Sequence, residues 1–143
     1  MTAVAVAIEI DRPVAEVWAD LSQLENHVDW MSDAERIDFR DDRRRGVGTE
    51  MRVRTRVGPL VTTDVIVVDE WVEEATIGVT HRGLVTGQGR FLLEPVAPGT
   101  RFTWHEDIRF PWYLGGGLTA WFAQPVLTHI WRKNLSRFAA RFG

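Results

Sequence analysis

The stretch "IEIDRPVAEVWADLSQLENHVDWM", residues 8–31, changes its hydrophobic period once, and that change decides the fold. Up to Ile10, the residues Val4, Val6, Ile8 and Ile10 alternate with small or polar neighbours, the period of a strand with one buried face. Beyond it, Val14, Val17, Trp18 and Leu21 fall at i, i+3, i+4 and i+7, one face of a helix. Asp11 is placed to cap this helix, and Pro13 suits its first turn. A second short helical piece follows over about residues 24–30.

Outward from this opening the period returns to two. Between residues 34 and 110, the turn signals "DDRRRGVG", "VGPL", "DEWVEE", "HRGL" and "VAPGT" leave room for six antiparallel strands. The last segment, from Leu118 to Phe142, is helical again: Leu127, Trp131, Leu135, Phe138 and Phe142 form an apolar stripe opposite Arg132, Lys133 and Arg137. Pro125 should kink that helix or split off its first turns. The order of elements predicts an α+β fold: a curved antiparallel sheet of about seven strands wrapped around a long C-terminal helix, with two short helices after the first strand and a cavity between sheet and helix.

The composition agrees and excludes several function classes. The 143 residues, 45% hydrophobic and 26% charged, suit one domain spanning residues 1–143. A formal net charge of −3 argues against a nucleic-acid binder that covers phosphates. The absence of cysteine removes disulfides, thiolate catalysis and Cys-ligated metals. His27, His81, His105 and His129 show no ligand spacing, so neither a metal nor a cofactor is expected. No apolar run approaches a membrane span, and the amino end lacks a signal-peptide pattern, so a cytoplasmic protein is expected, as a monomer or a homodimer. Seven Trp and seven Phe are the rings from which a rigid core or an apolar ligand chamber is built.

The opening stretch, the hairpin "LEPVAPGTRFTWHEDIRF" and the closing helix "PVLTHIWRKNLSRFAARF" together resemble the START-related SRPBCC superfamily, and in particular its polyketide cyclase/dehydrase branch. The likeness extends over essentially the whole chain. It implies the helix-grip fold and a chamber for an apolar small molecule, such as a lipid, a quinone or an aromatic polyketide. Fold likeness alone assigns no reaction.

Strand parity selects the residues that would face such a chamber. In "TEMRVRTRV", Met51, Val53, Thr55 and Val57 point inward, while Arg52, Arg54 and Arg56 form an outer face. A three-residue turn at 58–60 would set Arg54 opposite Asp64 as an exposed cross-strand pair. Ile77 and Val79 share an inward face that His81 continues. Val85, Gly87, Gly89, Phe91 and Leu93 form the next, and Phe102, Trp104, Glu106, Ile108 and Phe110 the last. Slipping that last strand by one residue would bury Arg101, His105, Asp107 and Arg109, so Glu106 stays inward.

Two inward glycines, Gly87 and Gly89, would then separate His81 from Glu106 by roughly 10 Å, room for a ligand ring, although the same glycines also serve to bend a sheet. Glu106 is open to three uses: a bond to a helix residue such as Thr128 or His129, a polar contact to ligand, or acid/base chemistry in an aldol-type closure or dehydration. Glu106, His81 and Tyr113, the one phenol, are the candidate catalytic residues. Trp30, Leu127 and Trp131 complete the expected lining. In "RFPWYLGGGLTAWF", Trp112 and Trp121 would line a hinge or lid, or mark a dimer contact or membrane-touching entrance. The leading expectation is a binder of a hydrophobic small molecule; the alternatives are a polyketide cyclase or dehydratase and a lipid or quinone carrier.

Overall fold

The computed structural model describes residues 2–112 and 116–143. It contains seven strands, β1 (Thr2–Ile10), β2 (Ala34–Phe39), β3 (Glu50–Val57), β4 (Leu60–Val72), β5 (Thr76–Arg82), β6 (Thr86–Val96) and β7 (Gly99–Arg109). Helix α1 (Val14–Leu21) and a 3₁₀ turn over Leu24–Asp29 follow β1, and helix α2 (Gly116–Ala140) closes the chain. The strands form one antiparallel sheet in the order β1-β7-β6-β5-β4-β3-β2, so β1 crosses to pair with β7 while the other strands follow as successive hairpins. This is the predicted helix-grip α+β architecture.

Three local details depart from expectation. Val17, Trp18 and Leu21 bury the inner face of α1. Asp11 does not cap this helix: Pro13 itself occupies the N-cap in an extended conformation, and its carbonyl accepts from the amides of Glu16 at 3.0 Å and Val17 at 3.2 Å. Helix α2 runs through Pro125 as one helix, so its first turns are not split off. The turn between β3 and β4 has two residues, not three, with Val57 opposite Leu60. That single residue reverses the parity of β4: Asp64 lies opposite Val53 and faces inward, and Arg54 pairs instead with Glu35 at 3.2 Å. Glu35 also binds Arg56, so the outer face of β2 and β3 is closed by ion pairs.

The core lies where α2 crosses β1 and β7. Trp30, 1% exposed, packs its ring against Phe102, Phe138, Trp104, Phe91 and His27 with centroids 5.1 to 6.2 Å apart. Leu127, Trp131, Leu135 and Phe138 form the buried stripe of α2, with Arg132, Lys133 and Arg137 exposed opposite it.

One polar knot ties the helix to the segment after the 3₁₀ turn. Asn134, fully buried, donates to Asp33 Oδ1 at 2.8 Å and accepts from the Ser32 amide and hydroxyl, each at 3.0 Å. Trp131 Nε1 donates to the other oxygen of Asp33 at 3.1 Å. Truncating Asn134 leaves the Ser32 amide and one Asp33 oxygen without their partner, so Asn134→Ala is expected to lower stability by about 2 kcal/mol. The check is a lower urea midpoint at unchanged m-value; an unmoved midpoint would dismiss the knot as decoration.

Candidate functional site

The aromatic core fills one half of the space under the helix. The other half, over β3 to β7, is a partly open pocket of about 210 Å³. Its walls alternate along each strand as pleating requires: Met51, Val53, Thr55 and Val57 from β3, Leu60, Thr62, Asp64 and Ile66 from β4, Ile77, Val79 and His81 from β5. Gly89 and Phe91 of β6 and Trp104, Glu106 and Ile108 of β7 form the next wall. Leu127 and Trp131 close it from α2, with the Trp131 ring stacked on Trp104 at 4.9 Å.

The pocket is mostly apolar, and Gly89 makes its paired polar corner possible. Gly89 lies between Val79 on one side and Glu106 on the other. A Cβ at this position would sit 2.5 Å from both Glu106 carboxylate oxygens, so the carboxylate rests on the bare glycine. There, Glu106 Oε1 accepts from Trp104 Nε1 at 3.0 Å, and Oε2 meets His81 Nε2 at 2.8 Å. The expected separation of roughly 10 Å across a bare floor is corrected. It treated the side chains as standing upright on their strands, whereas both lean toward one another over the space Gly89 leaves. The bond from Glu106 to Thr128 or His129 is corrected too: Thr128 bonds back to the Gln124 carbonyl, and His129 is exposed on the outer side of α2.

Asp64, 8% exposed, borders the same corner from β4. Its Oδ1 accepts from the Leu84 amide at 2.8 Å and its Oδ2 from the Thr62 hydroxyl at 3.1 Å. His81 therefore stands between two carboxylates. Burial pulls the His81 imidazole down, but the hydrogen bond and charge of Glu106, with the charge of Asp64 adding to them, lift it above the ordinary histidine range. His27, which borders the pocket from the 3₁₀ turn, is held neutral: burial pushes it down to about 4, against smaller upward pulls from the Leu21 carbonyl, Asp20 and Glu25.

Of the other residues singled out from sequence, Trp30 and Phe102 belong to the core and not to the pocket wall. Gly87 faces the backbone of β7 and is no part of the lining. Trp112 and Trp121 are 86% and 69% exposed and do not line it either. Tyr113 lies outside the described residues. Parity reasoning missed Asp64, Thr62 and Asp33, all of which border the pocket. No group of three or more His, Asp or Glu among the described residues is arranged to hold a metal ion, and none of the described helices is long and apolar enough to cross a membrane.

Residues 1–143 match the family model for polyketide cyclase/dehydrase and lipid transport proteins. No curated protein matches the chain. Among solved structures, a protein from Thermus thermophilus is 18% identical, superimposes with a TM-score of 0.83, and covers 97% of this chain and 95% of its own. The di-domain aromatase/cyclase of the steffimycin biosynthetic pathway is 13% identical, with a TM-score of 0.78 over 97% of this chain and 49% of its own. An aromatase/cyclase from Streptomyces sp. R1128 is 14% identical, with a TM-score of 0.69 over 97% and 92%. At these identities the likeness is one of fold.

Proposed function

Since the chain belongs to the polyketide cyclase/dehydrase and lipid transport family, we propose that it binds an aromatic or similarly flat apolar molecule in the pocket beneath α2. The observation that carries this reading is the paired polar corner, His81 and Glu106 above Gly89, in a mostly apolar pocket of about 210 Å³. A 150 Å³ apolar cavity holds one benzene ring, so this volume suits about one to two fused rings. The corner would orient a ligand oxygen while Phe91, Trp104 and Trp131 supply ring surface.

Titration with 1-naphthol tests this, because Trp104 and Trp131 line the pocket and their fluorescence should be quenched saturably. Absence of saturable quenching, together with no bound molecule on organic extraction of the purified protein, would sink the proposal. Glu106→Gln is expected to weaken 1-naphthol binding about tenfold. It should also lower the His81 titration midpoint, because the carboxylate that lifts it is gone while burial remains. The midpoint is read from the imidazole proton shifts, and an unchanged affinity and midpoint would return Glu106 to a purely structural role.

A second reading, turnover in a cyclase or dehydratase, is favoured by one observation. Glu106 engages Nε2 of His81, while Nδ1 makes no hydrogen bond among the described residues. In its neutral form, with Nε2–H donating to Glu106, His81 could take through Nδ1 a proton from a carbon between two carbonyls. The carbanion would add to a ketone carbon of the same chain, forming the ring C–C bond. The same imidazolium would return its proton to the new alkoxide. Loss of that hydroxyl with a neighbouring C–H proton would release water and leave a C=C bond. Glu106 would then position His81 and not itself be the acid or base.

A further inference from the structure

The charges around the pocket do not balance, and the imbalance bears on what can enter. Three carboxylates border it: Asp33 before β2, Asp64 on β4 and Glu106 on β7. Glu106 is paired with His81. Asp33 and Asp64 are held by neutral donors alone, Asp33 by Trp131 and Asn134, and Asp64 by Leu84 N–H and Thr62. Neither of them has a Lys or Arg within salt-bridge distance among the described residues.

The remaining titratable groups do not supply the missing positive charge. His27, on the 3₁₀ turn, is neutral and spends its Nε2–H on the Leu21 carbonyl at 2.7 Å. Arg90 of β6 borders the pocket, but its guanidinium lies on Glu70 at 3.1 Å, with more than half of the side chain exposed. By formal charge the three carboxylates count −3, and a protonated His81 offsets one of them. An ionised carboxylate has about four acceptor positions. Asp64 uses two, so it retains acceptor capacity next to the His81 and Glu106 corner.

We infer that the pocket excludes anionic ligands and takes an uncharged aromatic bearing a hydroxyl, whose O–H donates to Asp64. The inference rests on the reading of this pocket as a ring-binding site and adds the class of ring. A ligand carboxylate would be brought within several ångströms of unpaired carboxylates in a medium less polar than water, where like charges repel strongly. A phenol brings a further donor for the acceptor positions of Asp64 that Leu84 and Thr62 leave open. Free fatty acids and aryl carboxylic acids are then poor ligands, despite their apolar bodies, and hydroxylated aromatics good ones.

The test compares 1-naphthol, naphthalene and 1-naphthoate at pH 7.5 by Trp quenching on the full chain and on Asp64→Asn. This substitution keeps the shape and an oxygen for the Leu84 amide, and its folding is checked by an unchanged near-UV circular dichroism spectrum. The expected order is 1-naphthol, then naphthalene, then 1-naphthoate, with 1-naphthol at least tenfold tighter than 1-naphthoate. In Asp64→Asn the gap should shrink by about tenfold, chiefly through tighter 1-naphthoate binding. Equal or tighter binding of 1-naphthoate by the unaltered protein would overturn the inference while leaving ring binding intact. A gap unchanged in Asp64→Asn would overturn the role of Asp64. Failure of all three probes to bind would overturn the ring-binding reading, and this selectivity with it. If Asp64→Asn does not fold, Thr62→Val provides the second variant. It removes one of the two donors on Asp64, and should leave 1-naphthoate excluded while tightening 1-naphthol; looser 1-naphthol binding would count against the inference.

Discussion

Gly87→Ala is expected to destabilise the protein by about 3 kcal/mol or more, a large share of the 5 to 15 kcal/mol that typically holds a domain together. Gly87 has φ of +134°, a region that side chains with a Cβ rarely adopt. A Cβ there would press into the Asp107 carbonyl oxygen and sit 2.9 Å from Ile108 Cα. Both neighbours are backbone of a paired strand, so neither can step aside without breaking the ladder between β6 and β7. Gly89→Ala provides the contrast. The atoms nearest its Cβ would be the end of the Glu106 side chain, so the cost should fall on the His81 pairing and on ligand affinity more than on stability. Equilibrium unfolding in urea distinguishes the two; similar midpoints for the two variants would contradict this division of labour.

The second large effect is acid sensitivity. His27 is 6% exposed, its folded-state value is about 4 against an ordinary 6.5, and its ring packs 5.1 Å from Trp30 and 5.6 Å from Phe91. Because the unfolded chain takes up the proton first, the stability this residue contributes is complete above pH 6.5. It is lost progressively as pH falls from 6.5 to about 4. The loss over that window amounts to about 3 kcal/mol. His81 works in the opposite sense. Its raised value adds stability that is fully present below 6.5 and disappears as pH rises through the folded value, so it adds no slope in the acid window. His27→Gln, which keeps a donor for the Leu21 carbonyl, should therefore flatten the slope of unfolding free energy between pH 6.5 and 5. A slope as steep as in the parent would acquit His27.

The contrast between strands explains how far the amino-acid pattern could be read. On β5 to β7 it identified the inward faces, because on β7 the outward positions are charged or polar at Arg101, His105, Asp107 and Arg109 and any slip would bury them together. On β4 the pattern is weaker, and its parity hangs on the length of one turn. Reading Gly58 to Leu60 as the loop turned Asp64 outward, and the two-residue turn turns it inward. The approach of His81 to Glu106 was hidden for a different reason: strand spacing locates Cα atoms, not the ends of long side chains leaning over a glycine. Asn134 left no apolar signal, yet it falls three residues after Trp131 and four before Phe138, on the buried stripe. A polar residue in that place was the available clue. Trp112 and Trp121, open to a lid lining or to an exposed contact, carried too little periodicity to decide between the two, and both are exposed.

The crossing of β1 to β7 also bears on how the chain comes off the ribosome. Val4 must wait for Glu106, and Thr2 for Ile108, so the amino-terminal strand has no partner in the sheet until about a hundred more residues have been made. At ordinary elongation rates that interval is about 5 to 20 s. Throughout it an alternating apolar strand is available to other chains, and the long-range closure that ends the wait is of the kind that makes folding slow. Crowding on one message is then a point of exposure that the equilibrium stability of the finished sheet does not remove.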